Sequence, residues 1–132
     1  MSTILVNTLT GTSTAGSIAV TGEGNSTTTN LQQGLAKAWI DYKGTSTNSI
    51  RDSLNFASVS DNGTGDYTAS YTSAMGNANY SALYSAGVKN VITAQERLSD
   101  IATDAYRIEM QEDGGSAADS NYVMIAMHGA LA

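Results

Sequence analysis

The side chains able to do chemistry are few, and their spacing defeats most reactions. His128 is the only histidine. A two-histidine metal site therefore cannot form, and a serine triad would depend on one imidazole beside Gly129. A partly exposed histidine at a strand end is the simpler expectation. With no cysteine in the chain, thiolate nucleophiles, thiolate metal sites and disulfides are all excluded. Gly11-Thr12-Ser13-Thr14-Ala15 approximates a nucleophile elbow but lacks the final glycine and a buried strand before it. Gly22-Glu23-Gly24 begins like a dinucleotide-binding turn, yet the third glycine is missing and no helical pattern follows. Asp61-Asn62-Gly63-Thr64-Gly65-Asp66 offers two carboxylates and an amide, short of the ligand set of a calcium loop. Acidic residues gather between Glu96 and Asp119, and any pair could act as general acid and base. Charged turns on a small β domain produce the same abundance. The reading is no catalytic residue, no metal ligand and no cofactor.

Aromatic contact is the chemistry that remains. The chain has seven tyrosines and one tryptophan. Tyrosines at alternating strand positions are usually core. Trp39 differs, because it shares a strand face with Lys37 and Asp41, opposite Ala38 and Ile40. It is the aromatic expected at a surface or a subunit interface.

These residues must be held by strands. Leu54–Tyr71 reads as a β-hairpin. Tyr67, Ala69 and Tyr71 alternate with Thr68 and Ser70, while Leu54 and Phe56 alternate on the near arm. Val59 breaks the parity, which predicts a bulge or slip before the turn. Asn62-Gly63 supplies the positive φ angles of a hairpin turn, and Gly65 permits a longer loop. Ala36, Ala38, Ile40 and Tyr42 predict an earlier strand, with a helical turn before it from the Leu31 and Leu35 spacing. Ile50 leads through Arg51-Asp52-Ser53 into the hairpin. Tyr80, Ala82 and Tyr84 predict a further strand after a loop at Ser73–Asn77.

Residues 88–105 fit a helical period as well as a strand. The β-branched Val91-Ile92-Thr93 favours a strand over Asn90–Gln95, with a loop through Ser99–Asp104. Tyr106, Ile108 and Met110 give another strand, followed by a turn at Glu112–Ser116. Tyr122–Met127 is apolar on both faces, which marks a central strand or one covered on both sides. Short strands at close spacing with Gly/Asn/Asp turns predict an all-β fold, a small antiparallel sandwich or barrel.

The chain of 132 residues carries a formal charge of −6 and has a pI of about 4.4. That opposes nucleic-acid binding and attraction to anionic lipid. No apolar run reaches the length of a membrane span, and the N-terminus lacks a secretory signal pattern. The chain is expected to be made inside a cell and to need no oxidising compartment. Residues 1–34 differ from the rest in being dense in Ser, Thr, Gly and Asn, with Glu23 as the single charge. Two β-prone pieces, Thr3–Leu9 and Ser17–Thr21, carry too little apolar surface to fold alone. A neutral, β-branched segment is better explained as a strand that pairs with another copy or another protein than as a disordered tail. Residues 26–33 read as a polar connector.

Several stretches together resemble a family of small phage virion proteins of the tail-fibre or tail-fibre-like type, from marine and cyanobacterial phages. They are Thr28–Thr45, Ser49–Met75, Asn77–Ala82 and Asn121–Gly129, with Ser2–Val20 similar to the short N-terminal segments of such proteins. The resemblance is weakest over Ala86–Asp104. It implies a virion protein, usually a homotrimer. Residues 1–34 would form an attachment and oligomerisation segment that docks on other virion proteins. Residues 35–132 would form a jelly-roll-like β-sandwich head displayed outward, in contact with host surface glycans. The alternatives are a capsid decoration protein on the head shell, a carbohydrate-binding module and, least favoured, a depolymerase.

Overall fold

The computed structural model describes residues 3–12, 18–21, 26–87, 92–95, 101–112 and 114–131. The chain divides into two compact units, residues 1–35 and 36–132. The expected elbow-like stretch at Ser13–Ala15 and the Gly22–Gly24 stretch lie outside the described residues, as do Asn90, Val91 and residues 99–100.

In the first unit, β1 (Ala19–Thr21) pairs antiparallel with β2 (Thr28–Asn30). The stretch read as a connector therefore contains a strand. A single helical turn, α1 (Leu31–Gly34), follows directly. Asn30 caps it: its Oδ1 accepts from the Gln33 N–H at 3.1 Å, satisfying one of the otherwise unpaired N-terminal donors. Thr3–Leu9, expected as a strand, forms none. A strand needs a ladder partner for its backbone groups, and none of the described strands pairs with this segment.

The second unit is an antiparallel sandwich of two four-stranded sheets. The first sheet has the order β4–β3–β10–β7, from β3 (Ala38–Lys43), β4 (Ser49–Leu54), β7 (Ser81–Gly87) and β10 (Tyr122–His128). The second has the order β5–β6–β9–β8, from β5 (Phe56–Gly63), β6 (Asp66–Tyr71), β8 (Ile92–Gln95) and β9 (Ala105–Glu112). The fold is all-β, as the period-two alternation predicts. The pairs β3–β4, β5–β6 and β8–β9 each stay within one sheet, so successive strands change sheet only at β4–β5, β6–β7, β7–β8 and β9–β10.

Alternation decides which side chains meet between the sheets. Ala38, Ile40 and Tyr42 of β3 and Val123, Ile125 and Met127 of β10 face Tyr67, Ala69 and Tyr71 of β6 and Tyr106, Ile108 and Met110 of β9. Tyr42 and Tyr67 meet edge to face across the sheets, ring centres 5.1 Å apart, the arrangement their quadrupoles favour. Met75, in the loop after β6, is also buried and closes one end of the core. Its backbone is held by a bond from its N–H to the Thr103 carbonyl at 2.7 Å.

The hairpin expected over Leu54–Tyr71 is present, with two differences. Its near arm begins at Phe56, not Leu54. Asn55 stands between them with φ 59°, a left-handed conformation that Asn tolerates. Its Oδ1 accepts from the Ser73 N–H at 2.7 Å and its Nδ2 donates to the Ser73 carbonyl at 3.0 Å. The chain turns this corner from the first sheet into the second, so Phe56 is buried while Leu54 faces solvent. The second difference concerns the parity break. Phe56 pairs with Tyr71 and Ser58 with Ser70, so Ala57 is the extra residue of a bulge. The bulge returns Val59 to the core side, and a further register shift between Asp61 and Gly63 precedes the turn.

Positive φ falls on Gly63 (139°) and Gly65 (70°) and on neither Asn62 nor Thr64. The Asp61–Asp66 carboxylates are engaged locally. Asp61 Oδ1 accepts from the Gly63 N–H at 3.0 Å, and Asp66 is paired with Arg107, whose Nε donates to Asp66 Oδ1 at 2.7 Å.

Ile50–Ser53, read as a lead-in to the hairpin, belong to the edge strand β4 (Ser49–Leu54), which the polar Arg51-Asp52-Ser53 hid from a hydrophobic pattern. In the region left open between helix and strand, the described residues include β8 and no helix.

Candidate functional site

The two outer faces of the sandwich differ in chemistry. The outer face of the second sheet carries Ser58 and Ser60 from β5, Thr68 and Ser70 from β6, and Arg107 and Glu109 from β9, a polar surface of the usual kind. The outer face of the first sheet carries an apolar row beside polar residues, among them Asp41, Asp52 and Ser85. Trp39 pairs with Leu54 on one side and Ala126 on the other, and Ala126 pairs in turn with Leu83. These four residues make a row straight across the sheet, and Met124 stands next to it on β10. Leu83 is 61% exposed and Leu54 48%.

The expectation for Tyr122–Met127 resolves here. β10 is central, between β3 and β7, and its Val123, Ile125 and Met127 are core. Among the described residues its other face, Tyr122, Met124 and Ala126, is the less buried one, with Tyr122 and Met124 exposed. An exposed apolar strand face is the feature that marks binding surfaces.

The face is hollowed along its centre. Ala126 is short and lies between Trp39 and Leu83, so a trough runs along β10. It has a volume of about 460 Å³, is lined mainly by Trp39, Leu83, Met124 and Ala126, and has Asp41 and Ser85 as its polar members. Trp39 is half-buried, its indole forming one wall. The structure thus places Trp39 and Asp41 together on the solvent side of β3. Lys37 precedes the strand, whose first residue is Ala38.

Asp41 does not stand as a free charge. In the β3–β4 pairing Asp41 lies opposite Asp52 and Tyr42 opposite Ile50, leaving Arg51 as the extra residue of a bulge. A bulge redirects a side chain, and here Arg51 joins residues of the outer face. Its Nη1 donates to Asp41 Oδ1 at 2.9 Å, and Nη2 donates to the Asn121 carbonyl at 2.6 Å. Its guanidinium carbon stands 4.3 Å from the centre of the Tyr122 ring, within cation–π range. Arg51 thereby offsets the repulsion between two aspartates on adjacent strands. A sequence pattern had no means of finding this residue, because the bulge that aims it is visible only in the pairing.

The tyrosines with strongly altered acidity are in the core, not on this face. Burial pushes the Tyr67 hydroxyl far above its ordinary pKa, helped by the neighbouring Asp119 carboxylate. Burial does the same for Tyr42, with Asp61 and Asp119 adding to it, and for Tyr71, with Tyr80 adding to it. The Tyr67 hydroxyl donates to Asp119 Oδ1 at 2.8 Å and lies 3.0 Å from the Gly44 carbonyl. The same Asp119 oxygen accepts from the Gly65 N–H at 2.8 Å. These groups brace the hairpin turn against the segment before β10. His128 is the last residue of β10, half-buried and paired in register with Ser81.

Among the described residues no cluster of His, Cys, Asp and Glu has the makings of a metal site, and no helix is long and apolar enough to cross a membrane. In comparisons with known proteins the chain matches no family model, no curated protein and no solved structure.

Proposed function

We propose that the chain is a non-enzymatic virion structural protein, a β-sandwich head carried by an N-terminal attachment segment in a homotrimeric fibre or fibre-like projection. The observation that carries this reading is the contrast between the two outer faces. One is polar, and the other presents the row Leu54, Trp39, Ala126 and Leu83 to solvent. Burying apolar area is the main driving force of protein association, so such a face suits an assembly module.

Contact with a protein surface is favoured over contact with a host glycan at this face. A sugar needs hydroxyl-directed groups beside the aromatic ring. The trough has few, and Arg51 already engages the Asp41 carboxylate. Host-surface contact, if the head makes it, then falls elsewhere on the displayed unit.

A second reading is a capsid decoration protein. The same apolar row suits a knob seated on a shell. Cryo-electron microscopy of particles of the encoding phage, with the copy number per particle, separates the two. A few trimers at the tail support the projection. Density repeated over the shell supports decoration and overturns the projection, and absence from the particle overturns both.

A further inference from the structure

The chain carries a second unpartnered apolar feature besides the trough on the first sheet. In the N-terminal segment, Ile4 is 82% exposed and Val6 55%, with Leu5 and Leu9 also exposed. Residues 3–12 contain no charged side chain. In an extended chain Ile4 and Val6 point the same way, roughly 7 Å apart, a spacing that follows the run of β10 along the trough floor.

We infer that the trough bounded by Trp39 and Leu83 is the docking site for the N-terminal segment of a second copy of this chain, with Ile4 and Val6 entering it over Ala126. Three features favour this occupant. First, the trough is lined mainly by apolar side chains and residues 3–12 carry no charged side chain, so docking brings no further ionised group into it. Second, the aspartate on the trough edge is already neutralised by Arg51 at 2.9 Å, so the rim does not repel an approaching chain of net charge −6. Third, the flanking strands β3 and β7 lie about 10 Å apart across β10, room for one extended segment lying between the Trp39 and Leu83 side chains. Each copy then gives one segment and accepts one, a head-to-tail contact that closes into a ring as a dimer or trimer.

The inference deepens the proposed function by naming the partner of the N-terminal segment. It concerns the purified chain alone, so it stands or falls independently of where the protein sits in a particle. Three full-length forms test it: the natural chain, Leu83→Asp in the trough wall, and the double variant Ile4→Asp/Val6→Asp in the segment. The altered side chains are exposed, so all three forms should fold, and the two variants should melt alike, with the natural chain gaining stability from its association. Light scattering should find the natural chain oligomeric and each variant monomeric. Mixing the two variants should restore a one-to-one complex, because one retains an intact trough and the other an intact segment. Trp39 is the only tryptophan, so its emission should shift to the red in either variant and return towards the blue on mixing.

Three results would overturn the inference. One is a monomeric natural chain with solvent-exposed tryptophan emission. Another is an oligomer lost in Leu83→Asp but kept in the double variant, which would mean face-to-face stacking without the segment. The third is a monomer whose emission shifts to the red in the double variant, which would mean that the segment docks on its own head.

Discussion

Gly65→Ala should be the most damaging single methyl addition in the hairpin, and its size can be worked from the turn. Gly65 sits at φ 70°, where an L-residue costs roughly 1–2 kcal/mol. A methyl there would lie 2.5 Å from the Met110 carbonyl oxygen and 2.8 Å and 2.9 Å from the Ala118 N and O. All three are backbone atoms, so no side chain can swing aside to relieve the clash. The turn must move away from β9 and from the segment holding Ala118. That motion strains the bond from the Met110 N–H to the Gly65 carbonyl, 2.7 Å, and the bond from the Gly65 N–H to Asp119, 2.8 Å. Each is worth about 1 kcal/mol, more for the one to a carboxylate. The expected loss is about 3–4 kcal/mol, or at least about 12 °C in Tm for a domain of this size. Gly115→Ala is the matched control, because Gly115 has a similar φ of 85° but nothing lies within 4 Å of its added methyl. It should cost only the conformational term, about 1–2 kcal/mol. Far-UV circular dichroism during urea and thermal unfolding measures both. If the two variants were destabilised equally, the claim that the turn is clamped against β9 and Ala118 would be wrong.

The buried tyrosines predict alkaline unfolding. Burial raises Tyr42, Tyr67 and Tyr71 above their unfolded pKa near 10. Their contribution is therefore complete below that pH and is lost as pH rises above it, at up to about 1.4 kcal/mol per pH unit per tyrosine. Circular dichroism should show cooperative unfolding above roughly pH 10, with tyrosinate absorbance appearing together with it. Phenolate absorbance reaching completion in a still-folded protein would contradict this. Asn55→Ala should cost about 2–3 kcal/mol, from the left-handed backbone and two bonds to Ser73. Asn55→Gly should recover about 1 kcal/mol of that, since glycine removes the backbone strain alone. Chemical denaturation of the pair decides, and equal losses would show that the backbone angle does not matter. Arg51→Met should lower stability by only about 1 kcal/mol, because the Asp41 pair is exposed to solvent. The loss should shrink in high salt as the remaining Asp41–Asp52 repulsion is screened.

The sequence by itself determined which side chains form the core. Ala38, Ile40 and Tyr42, then Tyr67, Ala69 and Tyr71, and then Tyr106, Ile108 and Met110 alternate as written and are buried as written. Side chains on a strand point to opposite faces in turn, so a period of two in hydrophobicity is a local signal that survives whatever strand lies next door. The bulge near Val59 was legible for the same reason, since an extra residue is the simplest way to restore the parity. The helical turn at Leu31–Gly34 followed from the local spacing of Leu31 and Leu35. Trp39 could be placed on a solvent side from its neighbours Lys37 and Asp41.

Tertiary structure alone decided the rest, because it depends on which strands become neighbours. The strand β4 was hidden because an edge strand with polar residues on one face carries little periodic signal, and only pairing with β3 reveals it. The break at Asn55 sends Leu54 and Phe56 into different sheets, although their spacing places them on one strand face. That backbone angle is set by the bonds to Ser73, eighteen residues on. The Arg51 contacts with Asp41 and Tyr122 need a bulge and three strands in register. The trough exists only because Leu54, Trp39, Ala126 and Leu83, distant in sequence, fall opposite one another across four strands. An apolar face on β10 was readable from the chain; which of its two faces the second sheet covers, and that Tyr122 and Met124 stand exposed among the described residues, was decided by the packing of the two sheets.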